Sequence, residues 1–288
     1  MTRSLNGKVH DHRLDGFLDR QMKISEFWKD FTPGILEKRV LVVGMGGNGS
    51  HVSLALTRMG FERITVIDRD RVEPSNLSRQ VIYSVGDIGK LKTESAVKSL
   101  KNHSFRTKIA SIDMDIVSNR KKFVNAIGNH DFIFSLLDSN GGQFLTSSIC
   151  LHKMKPMITG GTDPVSGFVT LYRFQAPGGK PCEECMSRHA WDAPRDWILY
   201  YGYPHTPGIR IDMEKVRMFD VKTACPARCA STYITASAGS DLMVSAMLNW
   251  FMGRKVPAFV MMNVLTMDIC KFSPGKFADC PVCGNRKF

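Results

Sequence analysis

Arg39-Val40-Leu41-Val42-Val43-Gly44-Met45-Gly46-Gly47-Asn48-Gly49 is the stretch whose reading decides the fold. A short, largely β-branched apolar run that stops at glycine is the pattern of a buried strand. The glycines after it form a tight turn that feeds a helix. Gly44, Gly46 and Gly49 match G-x-G-x-x-G, in which glycine serves the turn, the close approach of backbone to a phosphate, and the packing of helix on strand. The free N–H groups of the first helical turn then favour an anion. Taken alone, the motif fits a nicotinamide or flavin dehydrogenase.

Working outward, a second strand, Arg63-Ile64-Thr65-Val66-Ile67, ends in Asp68, where an acid for ribose hydroxyls belongs in such folds. It runs into Asp70-Arg71-Val72-Glu73-Pro74-Ser75-Asn76-Leu77-Ser78-Arg79-Gln80, unusually polar for a dinucleotide fold, and then to Gly89 and Lys92. A glycine turn, a ribose acid, an Asn, an Arg and a Lys suit a triphosphate as well as a pyrophosphate. Arg79 and Lys92 have a second reading, as solvated surface cations.

Strands are expected over 40–43, 63–67, 107–112, 131–136 and 156–160, with helices over 48–59, 90–101, 117–127 and 141–153. Such alternation predicts parallel βαβ units with helices on both faces, a Rossmann-like doubly wound α/β sheet. The alternating run Gly167 to Phe174 predicts antiparallel strands added to it. A helix over 231–251 and strands near 258–264 and 268–270 complete the core. Ligands in these sheets bind beyond the carboxyl ends of the strands, so Gly44, Asp68 and Asp138 should converge. Asp138 follows the buried run Phe132 to Leu137, and either it or Ser139 also suits the N-cap of the next helix. One domain is expected, in four parts: an N-terminal segment (1–38), a nucleotide-binding core (39–175), a knuckle with a substrate loop (176–230), and a C-terminal helix, strands and second knuckle (231–288).

The 288 residues, 43% apolar and 23% charged, match a soluble globular chain able to bury a sizeable core. No secretion pattern opens the sequence, and the most apolar helix is broken by Ala236-Ser237-Ala238-Gly239-Ser240-Asp241, so a cytoplasmic protein without a membrane span is expected. A net charge of +12 suits an acidic partner. Nucleic acid is disfavoured, because the basic residues are scattered and no aromatic-interleaved module appears. Eight cysteines point to metal or thiol chemistry in a reducing compartment. Cys182-Glu183-Glu184-Cys185 and Cys280-Pro281-Val282-Cys283 supply four thiolates for a closed tetrahedral zinc site, tying the C-terminal part to the middle of the chain.

The runs IDRDRVEPSNLSRQ and GDIGKLKTES resemble the nucleotide site of the ubiquitin-activating-enzyme-like adenylyltransferases (ThiF/MoeB/HesA type), which include the thiamin- and molybdopterin-pathway activators. PCEECMSRH and FADCPVCGNRKF resemble the two zinc pairs of that family. The resemblance implies ATP, Mg2+ and structural Zn2+ as cofactors, and a substrate carboxylate that attacks the α-phosphate of ATP to release pyrophosphate. It implies that Gly44, Gly46 and Gly49 form the phosphate turn, that Asp68 holds the ribose, and that Asp70, Asn76 and Gln80 orient the nucleotide. Arg79 and Lys92 would stabilise phosphate charge, and Asp138 would hold magnesium. A homodimer is also implied, in which Arg20, within Phe17-Leu18-Asp19-Arg20-Gln21, reaches the triphosphate of the neighbouring subunit; a surface arginine is the other reading. The family commonly has Asp-Asn followed by an arginine, whereas here the run is Asp138-Ser139-Asn140-Gly141-Gly142-Gln143.

Residues 186–230, with Trp191, Trp197, Tyr200, Tyr201 and Tyr203 among several prolines, are an irregular insertion. The resemblance makes it a crossover loop where substrate choice resides. Cys225, just before a helix start and near Arg228, is a candidate nucleophile; a buried, inert cysteine is the alternative. The carboxylate is expected to be the C-terminus of a ubiquitin-like or sulfur-carrier protein, or alternatively one in a ribosomally made precursor peptide. A non-catalytic nucleotide scaffold or an NAD-dependent dehydrogenase stands third.

Overall fold

The computed structural model describes residues 12–22, 33–162, 168–177, 181–183, 185–186, 231–273, 275–280 and 283. Its strands are β1 (Arg39–Val43), β2 (Arg63–Asp68), β3 (Lys108–Asp113), β4 (Phe132–Ser135), β5 (Met157–Thr162), β6 (Val169–Gln175), β7 (Phe259–Asn263) and β8 (Ile269–Phe272). The helices are α1 (His12–Met22), α2 (Pro33–Leu36), α3 (Gly47–Arg58), α4 (Lys92–Leu100), α5 (Arg120–Gly128), α6 (Asn140–His152) and α7 (Tyr233–Phe251).

The strands form one sheet in the order β3-β2-β1-β4-β5-β6-β7-β8. β1 is central because both of its faces are covered. Val40 and Val42 join the core beneath α3, α4 and α7, while Leu41 and Val43 join the opposite core with α5 and α6. All four are fully buried, which explains why this strand reads as a continuous apolar run instead of an alternating one. Pairing is parallel from β3 through β5 and antiparallel from β5 to β8, so the mixed sheet expected from the sequence is the sheet observed. The expected elements between β1 and β5 recur with ends moved by about three residues at most, within the usual ambiguity of element ends.

Phe132 anchors the first core. Its ring stacks on Phe174 of β6 and meets Phe251 of α7 edge-on at 5.7 Å. α7 lies close because glycines open its path. A Cβ on Gly239 would stand 2.0 Å from Thr170 Oγ1, and one on Gly160 would stand 2.3 Å from Met243 Sδ. Among the described residues, no helix is long and apolar enough to cross a membrane.

The chain order reverses between β1 and β4, where the connection from β1 leads away to β2 and β4 begins the other half. At such a switch point the loops diverge and leave a crevice above the strand ends.

Candidate active site

The glycine turn is built from two kinds of constraint. Gly44 adopts φ +92°, and a Cβ there would lie 2.5 Å from the Leu136 carbonyl oxygen. A Cβ on Gly49 would lie 1.9 Å from the carbonyl oxygen of Gly44. Both glycines are therefore demanded by the fold itself. Gly46 differs, since among the described residues nothing stands within 4 Å of its would-be Cβ. It is the N-cap of α3, where no side chain among the described residues caps the helix. The first N–H groups of α3 are thus left for an outside acceptor.

Asp68 braces this turn. Its Oδ2 accepts from the Met45 N–H at 2.6 Å and its Oδ1 from the Asp70 N–H at 2.8 Å. A carboxylate has about four acceptor sites, so both bonds leave capacity for hydroxyl groups. The Tyr83 hydroxyl donates to the Met45 carbonyl at 3.0 Å from the other side. Burial, assisted by Asp68, Asp70 and Asp87, pushes the Tyr83 phenol well above its ordinary range, so it remains a neutral donor.

The polar run after β2 folds into two single-turn 3-10 helices, Pro74–Asn76 and Val85–Asp87. Asn76 is buried, and its Oδ1 accepts from the Glu73 N–H at 3.1 Å as half of a capping box. Gln80 is buried with its Oε1 unpartnered among the described residues. Arg79 is half-buried: its Nη1 donates to the Ser75 carbonyl at 2.8 Å, and its aliphatic stem lies beside Gly47 at the start of α3. Lys92 is only 7% exposed, and its Nζ lies 3.2 Å from Asp70 Oδ2. The reading of Lys92 as a solvated surface cation therefore fails.

Asp138 sits just past β4, beside the glycine turn, because Val43 pairs with Ser135 and Gly44 abuts Leu136. The N-cap of α6 is Ser139, whose Oγ accepts from the Gly142 N–H at 3.3 Å. Capping thus leaves Asp138 exposed, with no hydrogen bond or ion pair to its carboxylate among the described residues. Gly44, Asp68 and Asp138 converge as expected. Arg20 does not join them. α1 packs near the far end of α3, where Gln21 Nε2 donates to the Arg58 carbonyl at 3.2 Å. At about 1.5 Å per residue, α3 separates that end from Gly46 by roughly 17 Å. Cys225 and nearly all of the 186–230 insertion lie outside the described residues.

The two cysteine pairs meet. The sulfurs of Cys182, Cys185, Cys280 and Cys283 all lie within 4.8 Å of one another. Cys182 and Cys280 are 3.5 Å apart, and Cys185 and Cys283 3.4 Å. These separations are far beyond a disulfide bond and near the roughly 3.8 Å edge of a tetrahedron with 2.3 Å zinc–sulfur bonds. Hydrogen bonding from Cys182, with the Phe277 N–H and the other thiols adding, lowers the pKa of the Cys185 thiol. The donor set fits zinc.

Four residues at or beside the site escaped the sequence reading: Tyr83, His51, Glu183 and Arg173. His51 is buried on α3 against the ring of Tyr233, centroids 4.9 Å apart, and its Nε2 has no partner among the described residues. Burial lowers its pKa, with the Arg79 backbone and Asp241 opposing. Its only signal is its place two residues after Gly49.

The geometry defines a doubly wound, mostly parallel α/β fold in which four clustered cysteines could hold a metal ion. The ThiF family profile matches residues 18–282, and the chain belongs to the ThiF family. Molybdopterin-synthase adenylyltransferase of Escherichia coli K12 is 29% identical over 170 residues, covering 59% of this chain and 67% of the relative. Adenylyltransferase and sulfurtransferase MOCS3 of Aedes aegypti is 28% identical over 167 residues, 58% of this chain but only 37% of that longer protein. The crystal structure of E. coli MccB with AMPCPP and MccA shares the fold, with TM-score 0.64, 21% identity, and coverage of 87% of this chain and 68% of that one. An ATP-dependent adenylyltransferase, the enzyme class expected from the sequence, agrees with the names of these relatives.

Proposed function

We propose that the protein adenylates a carboxylate at the end of a ubiquitin-like or sulfur-carrier protein. The observation that carries this reading is the uncapped start of α3 at Gly46 lying beside the unengaged carboxylate of Asp138, in a ThiF-family chain. The α3 N–H groups and Gly46 receive the phosphates. Asp68 takes the ribose hydroxyls while keeping the turn in place, and Asp70, Asn76 and Gln80 orient the nucleotide. Lys92 and Arg79 stabilise phosphate charge. A substrate carboxylate oxygen forms a bond to the α-phosphorus, the bond from that phosphorus to the bridging oxygen breaks, and pyrophosphate leaves with the electron pair. The chain's contribution is positioning and charge stabilisation. Asp138 would hold magnesium, which when bound neutralises charge on the phosphates.

Arg20 acts from the partner subunit of a homodimer in this reading; its distance from the site of its own chain supports that assignment. Cys182, Cys185, Cys280 and Cys283 hold a structural zinc, and the thiol-rich composition suits the cytoplasm. A precursor peptide is the second reading of the substrate, favoured by the fold shared with MccB, whose structure contains MccA. Cys225 stays a candidate for a later thioester or persulfide step.

ATP–pyrophosphate exchange tests the proposal. Exchange that depends on the C-terminus of an added ubiquitin-like protein supports it, and exchange with a short peptide alone moves the substrate to the second reading. ATP binding without exchange for any carboxylate offered overturns adenylation and leaves a nucleotide scaffold.

A further inference from the structure

A run of buried and half-buried polar side chains joins the cysteine cluster to the Asp138 loop. Glu183, next to Cys182 in the first knuckle, is 1% exposed. Its Oε1 accepts from Arg173 Nη2 at 2.7 Å, and its Oε2 from the Thr159 hydroxyl at 2.7 Å. The same Arg173 nitrogen donates to Gln143 Oε1 at 3.0 Å. Gln143 Nε2 then donates to the Leu137 carbonyl at 2.7 Å, while the Gln143 backbone N–H donates to the Ser139 carbonyl at 3.1 Å. The Gln143 side chain therefore grips the residue before Asp138, while its backbone makes only the ordinary helical bond to the residue after it. Glu183 is itself held through its backbone N–H, which donates to Ser147 Oγ and Gln175 Oε1, both at 3.3 Å.

Stability alone does not explain this arrangement. A buried ion pair carries a desolvation penalty for each ion, and well-packed apolar residues often replace such a pair without loss. What an apolar pair lacks is direction. A fork-shaped guanidinium anchored by a fixed carboxylate sets the position and rotation of the amide it meets. Asp138 has no partner of its own among the described residues, so its place depends on the backbone that carries it.

We propose that Glu183, Arg173 and Gln143 are positioning residues that hold the Asp138 carboxylate in place for its cation, with the cysteine cluster as their anchor. This inference rests on the reading of Asp138 as the magnesium ligand. It predicts that loosening Gln143 weakens the contribution of magnesium to nucleotide binding while the fold and the cysteine cluster stay intact.

The test is calorimetric titration of the full chain with a non-hydrolysable ATP analogue, with and without Mg2+, taking the ratio of the two affinities. Partners that orient a metal ligand are worth about 10- to 100-fold in metal affinity. Gln143→Leu should lower the ratio roughly tenfold or more, with the chain still folding cooperatively, a modest fall in melting temperature from the two lost hydrogen bonds, and one zinc per chain retained. Gln143→Glu keeps the acceptor for Arg173 but cannot donate to the Leu137 carbonyl; it should lower the ratio in the same way and serves if the leucine variant fails to fold. Asp138→Ala is the reference and should abolish the gain from magnesium. A normal ratio in the Gln143 variants, with the gain lost in Asp138→Ala, overturns the positioning role alone. A normal ratio in Asp138→Ala overturns the magnesium reading and this inference with it.

Discussion

The glycine turn and the Asp138 loop lie side by side at the ends of β1 and β4, yet they are held by opposite means. The turn is shaped by its own backbone: Gly44 and Gly49 leave no room for a Cβ, and the braces at Met45 come from Asp68 and Tyr83. The Asp138 loop is set by side chains: Gln143 of α6 bonds it directly, and Arg173 from β6 and Glu183 from the knuckle, far along the chain, reach it only through Gln143. Local sterics write themselves into a short motif. Long-range hydrogen bonding does not.

The comparison breaks most readily at Asp138 itself. Asp138→Ala should reduce ATP–pyrophosphate exchange by about 100-fold or more, the scale for removing one preorganised charge stabiliser. Its unfolding midpoint in urea should be unchanged, because the carboxylate has no partner to lose among the described residues. Retained exchange would remove Asp138 from the site.

The turn should fail in the opposite way. Gly49→Ala drives a methyl group into the Gly44 carbonyl, which is backbone and cannot swing aside, so a destabilisation of about 3 kcal/mol is expected in urea unfolding, with nucleotide binding falling as a consequence. Gly46→Ala sharpens the contrast inside one motif. Its φ of −78° is open to any residue and its Cβ meets nothing, so stability should stay within about 0.5 kcal/mol. The added methyl group would instead stand where the phosphates approach, weakening ATP binding measured by calorimetry. Equal stability losses in the two variants would remove the distinction between a glycine kept for the fold and one kept for the ligand.

What the sequence displays follows the same division. β1 could be read because both of its faces are buried, and the antiparallel strands because Val169 to Gln175 keep an alternating pattern. The cysteine pairs could be read because few other arrangements place cysteines at that spacing. Asp68 and Asn76 are legible as residues but only partly as roles, since each also bonds the backbone of its own loop. Glu183 stands between two cysteines and Arg173 within a strand, and no local pattern marks either one. Their pairing depends on bringing the knuckle onto β6, which no local pattern encodes. Tyr83 stood in a run with no periodicity to mark it as buried.

Tyr83 offers the smallest and most local test. Tyr83→Phe removes the donor to the Met45 carbonyl and should cost about 1 kcal/mol, the usual net value of one hydrogen bond. The sign of its pH dependence follows from the raised folded-state pKa. Below the unfolded value of about 10 the phenol is neutral in both states, and its full contribution to stability is present. Above that pH the unfolded chain ionises while the buried phenol resists, so the contribution is progressively lost as pH rises. Urea unfolding between about pH 8 and 11 should therefore show the wild type losing its advantage over Tyr83→Phe only above about pH 10. A constant difference across that range would mean that the hydroxyl ionises as freely in the folded chain as in the unfolded one. The turn would then lean on Asp68 without a neutral donor opposite it.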